Sequence, residues 1–296
     1  MYAIVVMINI GIFVLLALSL NIITGYAGQP NIGQGAFFGI GAYSAAILTG
    51  KFGIYFWFAM PFAAIITGFI GLFLGLISIR IKEDFLAIVT IALNFIVAAV
   101  FQNVEFFGAA MGLAVPTPYW FGSPLSYRGY LYLVIVLIIL VVIFSKLIEK
   151  SWIGLALGAI RNNEMAADSL GIDTKKFKIL AFVLGTAIAG LTGAVYAHYM
   201  TFIMASDFNF ITSVTILSMV ILGGNNTIRG PIVGAIILGL IPELFRFISD
   251  YRLLVYATIL ILMIRFQPSG LLGDDSFVWS RLKALKTRFM EKRRAQ

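Results

Sequence analysis

The sequence contains no cysteine and a single histidine, His198. The first absence excludes disulfides, thiol catalysis and cysteine-ligated metal sites, and the second argues against a histidine-based metal site. Only 11% of the residues are charged, and very few of those lie inside the apolar runs. The chain also lacks the G-x-x-x-x-G-K-[ST] phosphate loop. If it moves a solute uphill, we therefore expect the energy to come from another polypeptide.

What the sequence has in excess is apolar surface, since 61% of its 296 residues are hydrophobic and its mean hydropathy is +1.01. A soluble chain of this length cannot bury that much, and a membrane span needs about 20 apolar residues. We predict an all-α polytopic membrane protein with eight or nine transmembrane helices. Two runs are short enough to be re-entrant or broken, 35–50 and 208–224. The other predicted spans are 2–23, 56–79, 85–102, 130–148, 179–200, 230–248 and 252–267.

Basic residues predict the orientation, because cytoplasmic loops carry an excess of lysine and arginine. They concentrate in the loop 149–178 and in the tail 274–296, and none precedes the first span. We predict an external N-terminus, a cytoplasmic C-terminus, a transmembrane domain over 1–273 with a cytoplasmic loop at about 149–178, and a basic cytoplasmic tail over 274–296. The net charge of +8 is then a topology signal. It predicts no nucleic-acid partner, although the tail can bind anionic membrane lipid.

The glycine-rich stretch GYAGQPNIGQGAFFGIGAY (25–43) predicts irregular backbone before a helix. Asn31 and Gln34 have capping-box spacing, so a helix is expected to start near Ile32. If the stretch lies at membrane depth, it lines a solute path, and the helix N-terminus offers N–H groups to an anionic group such as a carboxylate. The alternative is a tight loop at the membrane surface. The candidate path residues are Gly28, Asn31, Gly33 and Gln34, with Asn94 a weaker candidate.

Small residues recur every four positions in GTAIAGLTGAVYAH, at Gly185, Ala189, Gly193 and Ala197. On a helix they form one smooth face that lets a second backbone approach closely. This pattern predicts helix packing. His198 follows at the end of the same run, where an interfacial location is expected.

The polar stretch NNEMAADSLGIDTKKFK (162–178) lies between two apolar runs. Asn163 predicts an N-cap, Glu164 suits the first helical turn, and Gly171 can end the helix, which gives a helix over 164–170. A helix of two turns is not stable alone in water. It is expected to dock, either in a groove of a partner, which the small side chains of Ala166 and Ala167 would fit, or on its own chain.

The pattern Glu164-x-Ala166-Ala167-x-x-x-Gly171 resembles the EAA-type coupling loop of ATP-binding-cassette importer permeases, although the usual pattern has no residue between the glutamate and the two alanines. Three longer segments carry a broader resemblance, which spans nearly the whole chain in order: GLALGAIRNNEMAADSLGIDTKKFKILAFVLGTAIAGLTGAVYAH, GYAGQPNIGQGAFFGIGAYSAA and SMVILGGNNTIRGPIVGAIIL. They resemble the LivM-type permeases of branched-chain amino acid importers.

The resemblance implies a permease subunit in a bacterial inner membrane that moves leucine, isoleucine or valine from periplasm to cytoplasm by alternating access. Its implied partners are a second permease, two ABC ATPase subunits and a periplasmic amino-acid-binding protein. The chain would have no catalytic, metal or cofactor site, because ATP is used by the partner subunits. The implied coupling-loop residues are Arg161, Asn163, Glu164, Ala166, Ala167 and Gly171. Arg161 and Glu164 would add polar contacts to the ATPase.

Several alternatives remain open from the residues. Related permeases carry urea, short amides or sugars. An ion-coupled secondary transporter is a second alternative, although ionisable residues inside the spans are sparse. A membrane enzyme would need clustered acidic or histidine residues, and only one cluster fits, formed by Glu243, Arg246, Asp250 and Arg252. A scaffold without transport activity would leave the broken glycine-rich segments unexplained.

Overall fold

The computed structural model of the chain describes residues 1–120 and 123–244, together with positions 258, 261, 265 and 270–272. The predicted basic tail, most of the predicted span 252–267 and the side chains of the cluster Glu243, Arg246, Asp250 and Arg252 lie outside the described residues. Within them the α-helices are α1 Tyr2–Asn21, α2 Gln34–Gly50, α3 Phe56–Ser78, α4 Glu83–Asn103, α5 Tyr127–Lys150, α6 Trp152–Asn162, α7 Glu164–Ser169, α8 Thr174–Met200, α9 Phe210–Gly223 and α10 Arg229–Leu244.

Six helical segments of the described chain are long and apolar enough to cross a membrane: Tyr2–Tyr26, Phe56–Ser78, Asp84–Asn103, Tyr127–Lys150, Thr174–Met200 and Ala205–Gly223. They confirm an all-α polytopic membrane protein. The predicted short runs correspond to α2, with 17 residues, and α9, with 14. At the standard rise these helices are about 25 and 21 Å long. Each is shorter than the hydrocarbon core of a bilayer, about 30 Å. Helix α9 reaches the length of a span only together with the 3-10 turn Ala205–Phe208 that precedes it.

The strands are short and lie at the end of the bundle opposite to residues 149–178; we call the 149–178 end the loop side. The two antiparallel pairs are β1 (Leu113–Ala114) with β4 (Phe202–Ile203), and β2 (Tyr119–Trp120) with β3 (Ser123–Pro124). Leu113 is opposite Ile203, and Tyr119 is opposite Pro124. The first pair joins the connection between α4 and α5 to the segment that follows α8.

Helices α1, α2 and α8 form the buried centre, and small residues let α2 and α8 approach closely. A Cβ atom at Gly41 would overlap the backbone of Gly190, and one at Gly193 would overlap the carbonyl of Phe38. Gly185 packs in the same way on Ile23. The smooth face predicted for α8 is therefore a packing surface.

Helices α3, α4 and α5 surround this centre and direct large apolar side chains outward. Phe69 on α3, Phe95 on α4 and Leu147 on α5 are each about three-fifths exposed, at 60%, 59% and 63%. Large apolar side chains exposed on several helices are typical of surfaces that contact a membrane or another protein. These faces suit lipid or a second membrane protein.

Candidate solute path and coupling loop

Residues 22–33, between α1 and α2, interrupt the helices inside the protein; we call them the broken segment. A π-helical turn, Ile22–Tyr26, follows α1, and Gly28 has a φ of +69°, a left-handed conformation that glycine adopts without strain. Helix α2 then begins at Gln34 with Gly33 as its N-cap. The predicted start near Ile32, with Asn31 as the cap, is wrong by two residues. The reason is that Asn31 Oδ1 accepts from the Gly33 N–H at 2.9 Å, while its Nδ2 donates to Gln34 Oε1 at 2.8 Å.

This broken segment is buried and hydrogen-bonded to several helices, so it is not an exposed surface loop. Gln29, Asn31 and Gln34 are each almost fully buried. Gln29 Nε2 donates to Ser78 Oγ on α3 at 3.3 Å, and Gln34 Nε2 donates to Ser19 Oγ on α1 at 2.8 Å. The Ile32 N–H donates to Thr90 Oγ1 on α4 at 3.0 Å. Irregular backbone at membrane depth survives where protein satisfies it in this way.

The N-termini of α2 and α9 meet at one buried point. The Gly35 N–H donates to Ser213 Oγ at 2.8 Å, and a Cβ atom at Gly35 would lie 3.0 Å from the Asn209 carbonyl oxygen. Asn94 on α4 is 1% exposed and donates from Nδ2 to the same Ser213 Oγ at 3.1 Å. Its Oδ1 has no hydrogen-bond partner among the described residues. We call Gly35, Asn94, Asn209 and Ser213 the polar junction.

The polar junction has the chemistry that the two charged ends of an amino acid require. Two helix N-termini supply N–H groups and positive dipole ends for a carboxylate. The unpartnered Asn94 oxygen is an acceptor for an ammonium group. The structure brings the predicted path residue Asn94 to the start of α2, close to Gln34. Sequence reasoning missed Ser213, because nothing in its local pattern distinguishes it from Ser218 in the same helix.

The coupling loop folds largely as its local sequence predicts. Asn163 caps α7 by accepting from the Ala166 N–H at 3.0 Å, and Gly171 has a φ of +82°. The short helix is Glu164–Ser169, one residue shorter than predicted. Asp173 then caps α8 by accepting from the Lys176 N–H at 3.2 Å. Hydrogen bonds from the side chain and backbone of Lys176 lower the pKa of the Asp173 carboxyl below its ordinary value.

The exposed face of α7 differs from the predicted one. Ala167 points inward and is 2% exposed, so the predicted pair Ala166 and Ala167 does not form one outward surface. The outward apolar side chains are instead Met165, 80% exposed, and Leu170, 81% exposed. The reason is helical geometry, since consecutive residues point about 100° apart. The same period places Met165 on the side of α7 opposite to Ala167, whereas Leu170 is exposed because it follows the last residue of the helix.

Arg161 and Glu164 both make contacts inside the chain. Arg161 Nη1 donates to the Gly25 carbonyl oxygen at 3.1 Å, in the π-helical turn after α1. Glu164 Oε2 lies 2.5 Å from Nζ of Lys178, which is 6% exposed on α8. The sequence pattern indicated only a loop charge at Lys178, and the structure gives it this buried contact with Glu164. The ion pair links the start of α7 to α8.

His198 lies two residues before the end of α8 and is fully buried inside the protein. Its location at a membrane interface stays a prediction. One ring nitrogen lies 2.8 Å from the Ala194 carbonyl oxygen and the other lies 3.0 Å from Thr49 Oγ1. Both ring nitrogens therefore have hydrogen-bond partners between α2 and α8. A packing role accounts for these contacts. The described part of the chain contains no group of three or more His, Cys, Asp or Glu residues that could hold a metal ion.

Comparison with known proteins agrees with this architecture. Residues 2–264 match the family model described as the permease component of branched-chain amino acid transport systems. The LivM permease protein of the high-affinity branched-chain amino acid transport system of Escherichia coli K12 is 31% identical, over 88% of this chain and 68% of that protein. Probable LivM and LivH permeases of Methanocaldococcus jannaschii are 26% and 27% identical, covering 92% and 93% of this chain and 94% and 91% of those proteins. No solved structure matches the chain significantly. This multi-pass membrane protein belongs to the family of permease components of branched-chain amino acid transport systems.

Proposed function

We infer that this chain is the permease subunit of an ATP-binding-cassette importer for branched-chain amino acids. The observation that carries the amino acid specificity is the polar junction, where two helix N-termini meet beside the unpartnered oxygen of Asn94. The family match, and relatives named as high-affinity branched-chain amino acid permeases, support the same substrate class. A zwitterion with an apolar side chain suits a path made of backbone amides, amide side chains and apolar walls.

The solute path runs along the broken segment to the polar junction. Its residues are Gly28, Asn31, Gly33, Gln34 and Asn94, of which Asn94 accepts from the substrate ammonium group. The start of α2 accommodates the carboxylate. These groups are packed together in the structure, so substrate enters when the helices separate in an alternative state. A ligand favours such a state by the contacts it makes only there.

The partners are a second permease, two ABC ATPase subunits and a periplasmic amino-acid-binding protein. Relatives named LivM and LivH both match this chain, which supports pairing of two related permeases. The ATPases dock on α7, which is too short to be stable unsupported and exposes Met165, and on Leu170, which follows it and is exposed as well. ATP is bound and used by those subunits.

The chain lies in a bacterial inner membrane with the loop side in the cytoplasm. Lys150, Arg161 and Lys175 lie in the loop 149–178, and the N-terminus precedes a helix that ends at the same side. This arrangement supports an external N-terminus, and the basic tail supports a cytoplasmic C-terminus. The strand pairs then face the periplasm, from which the binding protein delivers substrate.

The test is uptake of radiolabelled leucine by the importer purified with its companions and reconstituted in proteoliposomes. We expect uptake that requires ATP and the binding protein, and an Asn94→Ala variant that takes up about tenfold less leucine. Asn103→Ala is the matched control, because Asn103 is exposed on the same helix and its side chain bonds to the Ala99 carbonyl one turn earlier. Uptake that follows an ion gradient without ATP contradicts the proposal. So does efficient uptake of urea or sugars with none of leucine.

A further inference from the structure

We propose that Arg161 is a positioning residue that transmits movement of the coupling loop to the broken segment between α1 and α2. The inference rests on the proposed function, since it concerns how ATPase movement reaches the solute path. It assigns Arg161 an inward role, different from a polar contact to the ATPase. The residue lies in the last turn of α6, two positions before the cap of α7.

The first contact is between Arg161 and the end of the α1 helix. The last carbonyl groups of a helix lack partners within it, and a cation there also interacts favourably with the helix dipole. Arg161 Nη1 fills this role for the Gly25 carbonyl oxygen, at 3.1 Å. The bond joins residues that are 136 positions apart in sequence, so it connects two separate parts of the fold.

The second contact is steric. A Cβ atom at Gly28 would lie 2.7 Å from Arg161 Cγ and 3.3 Å from Arg161 Cα. The aliphatic part of Arg161 and the backbone of α6 therefore rest directly on the left-handed turn at Gly28. When α6 moves toward the membrane it pushes on this turn, and when α6 moves away the guanidinium pulls on Gly25.

From Gly28 the connection to the polar junction is short and hydrogen-bonded. Gln29 and Ile32 bond to α3 and α4, and Gln34 bonds to α1. The next residue, Gly35, donates to Ser213, which also accepts from Asn94. A displacement of the turn at Gly28 therefore changes the position of the α2 N-terminus relative to α4 and α9.

On the side away from Arg161, the π-helical turn after α1 contacts the connection between α9 and α10. Asn21 Nδ2 donates to the Thr227 carbonyl oxygen at 3.1 Å, and Asn21 Oδ1 accepts from the Asn226 N–H at 3.1 Å. A Cβ atom at Gly25 would lie 2.8 Å from the Asn226 nitrogen. The π-helical turn is thus held between α6 and the α9–α10 turn. When α6 moves relative to α9, this turn has to move or deform. Arg161 therefore connects the coupling loop to the solute path.

The test uses the complete importer in proteoliposomes, with leucine uptake and ATP hydrolysis measured on the same samples. Arg161→Met keeps the aliphatic chain and removes the donor and charge. Lys175→Met is the matched control, because Lys175 is an exposed cation in the same loop. We expect Arg161→Met to co-purify with the ATPases and hydrolyse ATP normally, while its uptake per ATP falls about tenfold. Lys175→Met is expected to behave like the wild type.

A second readout reports movement of the broken segment itself. The chain has no cysteine, so an Ile32→Cys variant carries the only thiol in this subunit. We expect its labelling rate by a thiol reagent to depend on nucleotide, by about fivefold. Adding Arg161→Met is expected to abolish that dependence, and adding Lys175→Met is expected to preserve it. If Arg161→Met does not fold, Arg161→Gln replaces it, because glutamine retains a shorter donor. Its uptake per ATP is expected to fall by about threefold.

Three results overturn the inference. They are unchanged uptake per ATP in the Arg161 variants, labelling that still responds to nucleotide, and loss of the ATPases from the purified complex. The last result would make Arg161 a docking residue. Failure of the proposed function is distinguishable, because the wild-type complex would then show no ATP-dependent leucine uptake whatever the state of Arg161.

Discussion

The ion pair between Glu164 and Lys178 gives an asymmetric prediction about stability. Lys178 is 6% exposed and Glu164 has 43% of its side chain exposed, with 2.5 Å between Nζ and Oε2. Breaking a fully buried pair by removing one partner costs about 3–5 kcal/mol, whereas an exposed pair contributes about 0.2–1 kcal/mol. This pair has one buried and one half-exposed end, so its value lies between these limits. Glu164→Ala is expected to lower the free energy of unfolding by about 1–3 kcal/mol, because it leaves a buried ammonium without its partner.

The partner substitution is expected to cost much less. Lys178→Met removes the buried charge, keeps the aliphatic volume, and leaves Glu164 with access to water. Its effect on the free energy of unfolding is expected to be about 0–1 kcal/mol, and the double variant is expected to recover most of the loss caused by Glu164→Ala.

The assay is the apparent melting temperature of the importer in lipid nanodiscs. At about 2 °C per kcal/mol for a chain of this size, Glu164→Ala is expected to lower it by about 2–6 °C. Lys176→Met is the control, because that residue makes an exposed pair with Asp173. The reasoning is refuted if Lys178→Met is as destabilising as Glu164→Ala, or if the losses in the double variant simply add.

Two further predictions concern the turn at Gly28 and the face of α7. Gly28→Ala and Gly53→Ala both place a side chain at a positive φ, which costs about 1–2 kcal/mol, but a Cβ at Gly53 meets no atom within 4 Å. Leucine uptake per ATP is therefore expected to fall only in Gly28→Ala, and equal uptake in the two variants contradicts the contact with Arg161. Met165→Glu is expected to release the ATPases from the purified complex, because it places a charge on the exposed apolar face of α7. Asp168→Asn, an exposed change on the same helix, is expected to retain them, and full retention by Met165→Glu would place the docking surface elsewhere.

The sequence predicted best those features that depend on neighbouring residues. The cap at Asn163 and the left-handed Gly171 that follows α7 use groups within a few positions of one another, so their pattern was sufficient. The six long apolar helices of the described residues followed from hydropathy, because the requirement for about 20 apolar residues is local as well. The small residues at every fourth position of α8 predicted close packing for the same reason.

Features that depend on distant residues were not predictable from these patterns. The start of α2 was misplaced because Asn31 accepts from the Gly33 N–H, while the Gln34 side chain bonds to the Asn31 side chain and to Ser19 on α1. The polar junction joins Gly35 to Ser213, 178 positions away, and Arg161 reaches Gly25 across 136 positions. Spacing carries no information about such partners, so the sequence supplied candidate residues and the fold supplied their contacts.

The central claim is that this permease works as one subunit of an assembly powered by separate ATPases. The most direct measurement is affinity purification of the chain from its native membrane in mild detergent, with its companions identified by mass spectrometry. The account predicts a second permease of the same family and ATPases that contain the phosphate loop this chain lacks. A folded chain that comes out alone across several mild detergents would contradict it.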